Sequence, residues 1–456
     1  MLRIGVTRAR SCQGYTRREM LQIGSIGVAG LGLPDWLRLK AEGAVKAGRA
    51  RSVIWLWLWG GPSHLDTFDL KPQAQVQYRG PFRPMATNVP GIEICELLPR
   101  LATVTDKYCI IRSMQCESAD HGIAATIGLT GDKQGAIKND GQPLPGAVRP
   151  NHGAIVARAR GFSPGRPSFV TLGDYMRPGI ALISGEGGGL LGATYDPFRL
   201  NYDPQKGVQL PQLKLPKEVG LERLKGRRQL QEAFDSLQRH LEKDRQIEKW
   251  DSFHQQAFDL VSSAKARQVY NLEEEPVAVR SRYGRFRFGQ CCLLARRLVE
   301  AQVPFVQVNW SSHVAPLHDG GDGGWDLHKH NFNELQERHC WMLDQSLSAL
   351  LEDLERRGLL QETVVVAVGE FGRTPKINSN GGRDHWGKCY SAIVAGGGIH
   401  TGQVVGASDR RAAYPVTPPV SPADLATTVF DRIGIGVSAL TEIGLTPLGE
   451  VVEDLI

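Results

Sequence analysis

The sequence lacks several patterns that would place it in a familiar functional class. Its eight cysteines form no Cys-x-x-Cys pair, which disfavours zinc-finger and thioredoxin-like proteins. No phosphate-binding loop is present, because the glycine-rich stretch 185–189 has no following Lys-Ser/Thr and glycines 396–398 are more simply a turn. Beyond residue 45, no apolar run approaches eighteen residues, so we expect a body that does not span a membrane.

A strong charge imbalance is also missing from most of the chain. The 456 residues carry a formal net charge of +6, and residues 1–45 hold seven Lys/Arg against three Asp/Glu. The remainder contains 47 basic and 45 acidic residues, which gives no support for nucleic acid binding. A composition of 41% hydrophobic and 22% charged residues is typical of a globular protein with a substantial core.

The N-terminal segment carries an export pattern. Arg17 and Arg18 precede the small and apolar stretch 23–33, which is too short to cross a bilayer as a stable helix. A twin arginine before such a stretch is typical of a Tat signal. We therefore predict a signal and linker over residues 1–45, export by the Tat machinery, and a location in the periplasm or at the cell surface. The alternative is an amphipathic N-terminal arm with an accidental Arg-Arg pair.

Residues 46–456 show the alternation of helix and strand that indicates one α/β domain. Continuous apolar runs predict strands buried on both faces, as in a parallel sheet, at 52–59, 304–309, 363–368 and 391–395. Apolar residues at helical spacing predict helices over 288–301 and 342–357, ahead of two of these strands. The fold class that follows is a mainly parallel central sheet between helical layers.

Other parts of the domain are less regular. Residues 130–215 are rich in glycine and proline and predict long loops around short elements, whereas 217–270 are charged, carry an apolar stripe, and predict a helical insertion. From residue 422 onward we expect a helix followed by a loop. Cys291 and Cys292 lie in an apolar helical run, where buried free thiols are favoured over a disulfide.

Four glycine-flanked segments carry the polar residues suited to metal binding. Ligands of open α/β sheets bind beyond the carboxyl ends of the strands, where we place these segments. Mixed carboxylates and imidazoles suit zinc or manganese better than calcium. Taken singly, each residue has an ordinary role, such as a helix cap for Asp66, a partner of Arg373 for Glu370, or a core position for His385. The segments are 60–69 (GGPSHLDTFD), 319–330 (DGGDGGWDLHKH), 369–375 (GEFGRTP) and 382–386 (GRDHW).

These blocks resemble the signature motifs of the domain-of-unknown-function family 1501, over about residues 15–450. That family is similar to the alkaline phosphatase and sulfatase superfamily, which implies an alkaline-phosphatase-like three-layer sandwich with a centre of two divalent metal ions. The resemblance implies one ion held by Asp326, His385 and either His328 or His330. It implies a second ion held by Asp66 and Glu370 with help from His121. Asp384, beside His385, is a further candidate ligand.

The resemblance departs from the superfamily at the nucleophile. By its spacing from Thr130 and Gly131, His121 occupies the position where a Ser, Thr or modified Cys is expected. Cys116 is not followed by the Pro and Arg of the sulfatase motif, so a formylglycine enzyme is disfavoured. Three roles stay open for His121: metal ligand, phosphoryl-accepting nucleophile, or part of a non-catalytic site.

Two functional hypotheses follow. The first is an exported hydrolase that cleaves an anionic phosphate or sulfate ester, of a small molecule or a polysaccharide, with a metal-activated water. In that case Arg373 or Arg383 could neutralise the developing charge, although Arg373 could equally pair with Glu370. The second is a metal-stabilised binding or cell-surface protein that has the fold without the chemistry.

Overall fold

The computed structural model of the protein describes residues 50–163, 166–209, 268–315 and 323–456. The predicted leader lies outside the described residues, as does the predicted helical insertion except for residues 268–270. The predictions made for those two segments therefore stay predictions.

A nine-stranded sheet forms the centre of the described chain, with strand order β13-β4-β12-β9-β1-β8-β5-β6-β7. The strands, in chain order, are β1 (Ser52–Trp57), β2 (Pro84–Ala86), β3 (Glu93–Cys95), β4 (Tyr108–Met114), β5 (Phe169–Leu172), β6 (Phe198–Asp203), β7 (Gly207–Gln209), β8 (Phe305–Asn309), β9 (Thr363–Val368), β10 (Gly372–Arg373), β11 (His385–Trp386), β12 (Tyr390–Ala395) and β13 (Gln403–Val405). Neighbours from β9 to β6 are parallel, whereas β12 runs antiparallel to both β9 and β4.

Helices cover both faces of this sheet. The α-helices are α1 (Val76–Arg79), α2 (Pro99–Ala102), α3 (His121–Thr130), α4 (His152–Arg160), α5 (Val277–Tyr283), α6 (Arg287–Glu300), α7 (Asn331–Glu334), α8 (Cys340–Arg356), α9 (Pro422–Arg432) and α10 (Val437–Glu442). Residues of α2, α5, α6 and α8 contribute to the core on one face. Residues of α3, α4, α9 and α10 contribute to the core on the other.

The position of β1 between two cores explains why its sequence is apolar at every residue from 53 to 57. Ile54 and Leu56 belong to one core, and the alternating Val53, Trp55 and Trp57 belong to the other. Because successive side chains of a strand point to opposite faces, a strand covered on both sides must be apolar at every position. The predicted three-layer arrangement with a mainly parallel sheet is therefore confirmed.

The predicted elements agree with the structure closely. The four apolar runs form β1, β8, β9 and β12, and the two periodic segments form α6 and α8. Cys291 and Cys292 are buried thiols that form no disulfide among the described residues, and the same holds for the other described cysteines. Within the described ranges, no helix combines the length and the apolar character needed to cross a membrane.

Two of the polar segments begin at the carboxyl ends of β1 and β9. These strands pair in register up to Trp57 and Val368, so the segments that follow them start side by side. Shortly after β9, the small hairpin of β10 and β11 places Arg373 opposite His385. Residues far apart in the chain are thereby brought to one edge of the sheet.

Candidate metal centre

Three predicted site residues form a compact group at this edge. One ligand atom from each of His121, Asp326 and His385 lies within 4.8 Å of the others. His121 is the first residue of α3, Asp326 follows β8 after a long loop, and His385 belongs to β11. The His121 side chain is buried, whereas those of Asp326 and His385 are partly exposed. We name these three residues, with the adjacent His328, the histidine–aspartate group.

The group is centred on one carboxylate oxygen. Asp326 Oδ1 lies 3.4 Å from Nε2 of His121, 3.1 Å from Nε2 of His328 and 3.2 Å from Nε2 of His385. The Nε2 atoms of His328 and His385 lie only 2.9 Å apart. Four ligands at about 2.0–2.1 Å from a tetrahedral zinc ion would lie about 3.3 Å from each other. The spacing of the group therefore fits side chains arranged around a small cation.

Nδ1 of each ring makes a hydrogen bond on the side of the ring that faces away from Asp326. Nδ1 of His121 lies 2.6 Å from Glu370 Oε1, and Nδ1 of His328 lies 2.8 Å from Asp384 Oδ1. Nδ1 of His385 lies 2.9 Å from the carbonyl oxygen of Ala119. Carboxylates and carbonyls only accept hydrogen bonds, so each Nδ1 is the donor. In a neutral ring Nε2 then carries the lone pair, which is the state that binds a metal.

This arrangement leaves lone pairs facing an anion. Three Nε2 atoms and the Asp326 carboxylate converge, and buried Nε2 of His121 has no hydrogen-bond partner among the described residues. Such an arrangement is repulsive unless a proton or a metal cation lies between the groups. The residues present thus fit a divalent ion such as zinc, whose usual ligands are imidazole nitrogen and carboxylate oxygen.

Burial and neighbouring charges shift the pKa values of the group in different directions. Burial raises the pKa of Asp326, but the charge of Arg373 and the nearby histidines lower it far more, so the carboxylate stays ionised. Burial lowers the pKa of His121, and the carboxylates of Asp326 and Glu370 more than reverse this. For His385, burial outweighs Asp326 and the pKa is lowered. The nearby Asp326 carboxylate raises the pKa of His328.

Glu370 lies behind the group. It is completely buried, and its Oε1 atom accepts hydrogen bonds from His121 Nδ1 at 2.6 Å and from the Gly60 backbone N–H at 3.0 Å. The sequence predicts Glu370 as a metal ligand, with Arg373 as its alternative partner. In the structure this carboxylate accepts from the outer nitrogen of His121, a common arrangement behind a metal ligand.

Arg373 supports Asp326. Its guanidinium is fully buried and donates to Asp326 Oδ1 at 2.7 Å, to the carbonyl of Gly61 at 2.8 Å and to that of Arg383 at 3.1 Å. It also donates to the carbonyl of Gly60. With these donors in use, the geometry favours a positioning role over the predicted contact with substrate.

Asp66 and Arg383 form a buried pair separated by 317 residues of sequence. Arg383 donates from Nε to Asp66 Oδ2 at 2.7 Å and from Nη2 to Oδ1 at 3.0 Å. Asp66 Oδ2 also accepts from Ser63 at 2.6 Å and from Asn331 at 3.0 Å. The remaining N–H groups of Arg383 reach backbone carbonyls. Both residues are bonded to protein groups, so the geometry does not favour the predicted metal ligand or the predicted charge-neutralising arginine.

The remaining predicted residues lie at the rim of the group. Asp384 is exposed and accepts from His328, which lowers the pKa of the Asp384 carboxyl. His330 is exposed, has a left-handed backbone with φ of 53°, and precedes α7. Of the two histidines proposed beside Asp326, the structure therefore brings His328 to the group and leaves His330 facing solvent.

Capping contacts fix the start of α3, where His121 lies. Asp120 caps the helix by accepting from the backbone N–H of Ile123 at 3.1 Å, and Asn139 accepts from that of Gly122 at 3.1 Å. A side chain at position 122 would clash, because a Cβ atom would lie 1.8 Å from the carbonyl oxygen of Ile137. Two of the backbone N–H groups at this helix end are thus bonded to side chains.

Two supporting contacts were not identified from the sequence. The carbonyl of Ala119 is a backbone atom, for which no sequence pattern gives a signal. Asn378 donates from Nδ2 to the His328 carbonyl at 3.0 Å and to Asp384 Oδ1 at 3.2 Å. Its position in the Asn-Ser-Asn-Gly-Gly turn before Gly382 is the one local hint.

A search of curated proteins found no match. Among solved structures, a phosphonate monoester hydrolase of Agrobacterium radiobacter is similar, with a TM-score of 0.36, 12% identity, and coverage of 89% of this chain and 77% of that one. A sulfatase from Pseudoalteromonas sp. has a TM-score of 0.36 and 10% identity, with coverage of 95% and 74%. The lipoteichoic acid synthase LtaP from Listeria monocytogenes has a TM-score of 0.36 and 10% identity, with coverage of 89% and 76%.

These structural likenesses are weak, and nothing about substrate or reaction follows from them. The family comparison is stronger, because one sequence profile matches residues 50–453. Its description is "Protein of unknown function (DUF1501)". The match covers nearly the whole described chain, and the protein therefore belongs to the DUF1501 family.

Proposed function

We propose that this protein is an exported metal-dependent hydrolase that cleaves a phosphate or sulfate ester. One observation supports the proposal above all: three imidazole Nε2 atoms lie 3.1–3.4 Å from Asp326 Oδ1, while each ring donates from its other nitrogen to an acceptor. Export by the Tat route, with delivery to the periplasm or cell surface, is part of the same proposal and rests on Arg17 and Arg18.

The residues of the group divide into ligands and supports. For hydrolysis, His121, Asp326 and His385 would hold the ion, and His328 would lie beside the fourth position, which is left for water. Glu370, Asp384 and the Ala119 carbonyl orient the three rings, and Arg373 orients Asp326. When bound, a divalent ion there would polarise the ester and make water a stronger nucleophile. A single ion accounts for these contacts, because Asp66 and Glu370, the carboxylates assigned to a second ion, are bonded to protein groups.

A second function has its own support. If His328 joins the other three residues, all four tetrahedral positions are filled by protein, which is typical of structural zinc sites. The buried guanidiniums of Arg373 and Arg383 also donate to protein acceptors rather than facing a substrate. A metal-stabilised binding or cell-surface protein would have these features.

Metal analysis followed by an activity survey separates the two functions. The purified protein would be analysed for bound zinc and manganese and then assayed on chromogenic phosphate, phosphonate and sulfate esters. We expect about one metal ion per chain and turnover of one ester class. His385→Ala should remove both, whereas His400→Ala, at an exposed histidine, should remove neither.

Two results decide against parts of this proposal. Protein without bound metal, which also fails to bind added zinc, would eliminate the metal centre and both functions. Bound metal without turnover of any ester would eliminate the hydrolase and support the binding protein.

A further inference from the structure

A loop beside the metal centre presents two adjacent arginines to solvent. We name residues 408–415 the arginine loop; its ends pair as an antiparallel bridge between Ser408 and Pro415. Arg410 and Arg411 lie at its tip, and both are exposed. Neither has a carboxylate partner among the described residues. Asp409, the nearest acid in sequence, accepts from the backbone N–H groups of Arg411 and Ala413, each at 2.9 Å.

The loop is fixed rather than loosely attached. Ala412 is fully buried and has a φ of 51°, a left-handed conformation that is unfavourable for alanine. Its carbonyl lies 2.8 Å from Nε2 of buried His64, which donates to it, and the next carbonyl accepts from Trp386 Nε1 at 2.7 Å. Surrounding contacts therefore hold a strained backbone in place, and strained positions are concentrated at functional sites.

The loop is joined to the metal centre on two sides. Trp386 directly follows His385 in β11, and its ring packs against that of Tyr414 at 5.7 Å. The guanidinium of Arg411 lies 4.7 Å from the centre of the Tyr78 ring, and the Tyr78 carbonyl accepts from Arg383 at 2.8 Å. Arg411 is thus stacked on one aromatic ring, while Tyr414, 51% exposed, offers a second at the surface.

We propose that Arg410 and Arg411 bind an anionic group of the substrate at a distance from the ester at the metal centre. A substrate with repeated anionic groups and ring faces that can pack on Tyr414 is an acidic polysaccharide, such as a sulfated one. Guanidiniums bind sulfate and carboxylate through paired hydrogen bonds. Nucleic acid is the less favoured polyanion, because the chain beyond residue 45 has 47 basic and 45 acidic residues.

The assignment of this surface to substrate rests on the proposed hydrolase function, but polymer binding is measured separately from hydrolysis. Dextran sulfate, neutral dextran and double-stranded DNA would be titrated by calorimetry into the purified protein with its metal in place. The variant is the Arg410→Gln/Arg411→Gln double substitution. Its control is Arg100→Gln/Arg158→Gln, which removes the same charge from exposed positions on α2 and α4.

We expect dextran sulfate to bind, neutral dextran not to bind, and DNA to bind more weakly. Loss of two exposed charge contacts should weaken binding of dextran sulfate about tenfold, and the control should weaken it less than about twofold. Thermal melting should be unchanged in both variants, since the four side chains are exposed.

Several outcomes would overturn the inference. They are no binding of dextran sulfate, equal losses in the variant and its control, or DNA binding as tight as that of dextran sulfate. If binding depends on the arginine loop but no ester is hydrolysed, the loop is a polysaccharide site and only the hydrolase proposal fails. Hydrolysis that the double variant leaves unchanged, together with unchanged binding, would contradict the loop's role alone.

Discussion

Glu370→Gln tests whether the outer hydrogen bonds set up the metal site. One oxygen of Glu370 accepts from both His121 Nδ1 and the Gly60 N–H, and the side chain has no exposed surface in which to rearrange. Glutamine has one acceptor oxygen and one NH₂ group. If NH₂ faces His121, that ring must accept at Nδ1 and carry its proton on Nε2, where the metal would bind. If NH₂ points the other way, it faces the Gly60 N–H, which Glu370 Oε2 now meets at 3.3 Å.

Either arrangement weakens metal binding without removing a direct ligand. Loss of such a supporting group typically costs about 10–100-fold in metal affinity, or about 1.4–2.7 kcal/mol. Zinc dissociation constants would be measured by competition with a chromophoric chelator. Nitrogen NMR of the histidine side chains would report the His121 tautomer.

Glu186→Gln is the matched control. Glu186 is also a buried glutamate that accepts from a backbone N–H, that of Met176 at 2.9 Å, but its other contacts are Arg199 and Asn309. We expect the zinc affinity of this variant to equal that of the wild type. A Glu370→Gln protein that binds zinc within about twofold of the wild type would refute the reasoning, as would an equal loss in the control.

Three further predictions concern stability and reactivity. Arg296→Met should destabilise the fold by about 1.5–3 kcal/mol in chemical denaturation. It removes the buried guanidinium that contacts Glu275 and Asp353, which keep Arg297 and Arg357 as partners. Lys133→Met, at an exposed pair, should change the free energy of unfolding little, and equal effects of the two substitutions would contradict this. Burial lowers the pKa of His152 from 6.5 to about 3 in the folded protein. The stability that this neutral ring contributes is therefore complete above pH 6.5 and falls by about 1.4 kcal/mol per pH unit as the pH drops toward 3. The loss of unfolding free energy between pH 7 and pH 4.5, measured by chemical denaturation, should be smaller in His152→Gln than in His400→Gln. The seven described cysteines are buried, so a thiol reagent should label them only in denaturant, and fast labelling of the native protein at these positions would show that they are accessible.

The direction of β12 shows how far the fold could be predicted. Its apolar run identified a buried strand, because both of its faces are covered, but burial does not distinguish parallel from antiparallel pairing. A parallel neighbour of β9 would need a crossover connection, usually a helix. Residues 369–389 contain the hairpin of β10 and β11 and no helix. The lack of helical periodicity in residues 369–389 therefore indicated that β12 runs antiparallel to β9.

For the metal site, the sequence predicted the location but not the role of each carboxylate. The rule that ligands bind at strand ends predicted the edge of the sheet at which these residues lie. His121, Asp326, His328 and His385 meet there, although they are up to 264 residues apart in sequence. Residue type could not separate a ligand from its support. Aspartates and glutamates stand in all four predicted segments, yet among the residues that the structure describes only Asp326 faces the Nε2 atoms.

What separates these carboxylates is the hydrogen-bond partner that the fold gives each of them. Asp66 is bonded to an arginine whose charge it neutralises, and Glu370 and Asp384 each accept from the far side of a histidine ring. A carboxylate that accepts from Nδ1 makes Nε2 a better ligand, so its negative charge acts on the metal through the ring. Ligand and support are carboxylates from the same kind of glycine-flanked segment, and the side of the imidazole that each occupies assigns its chemistry.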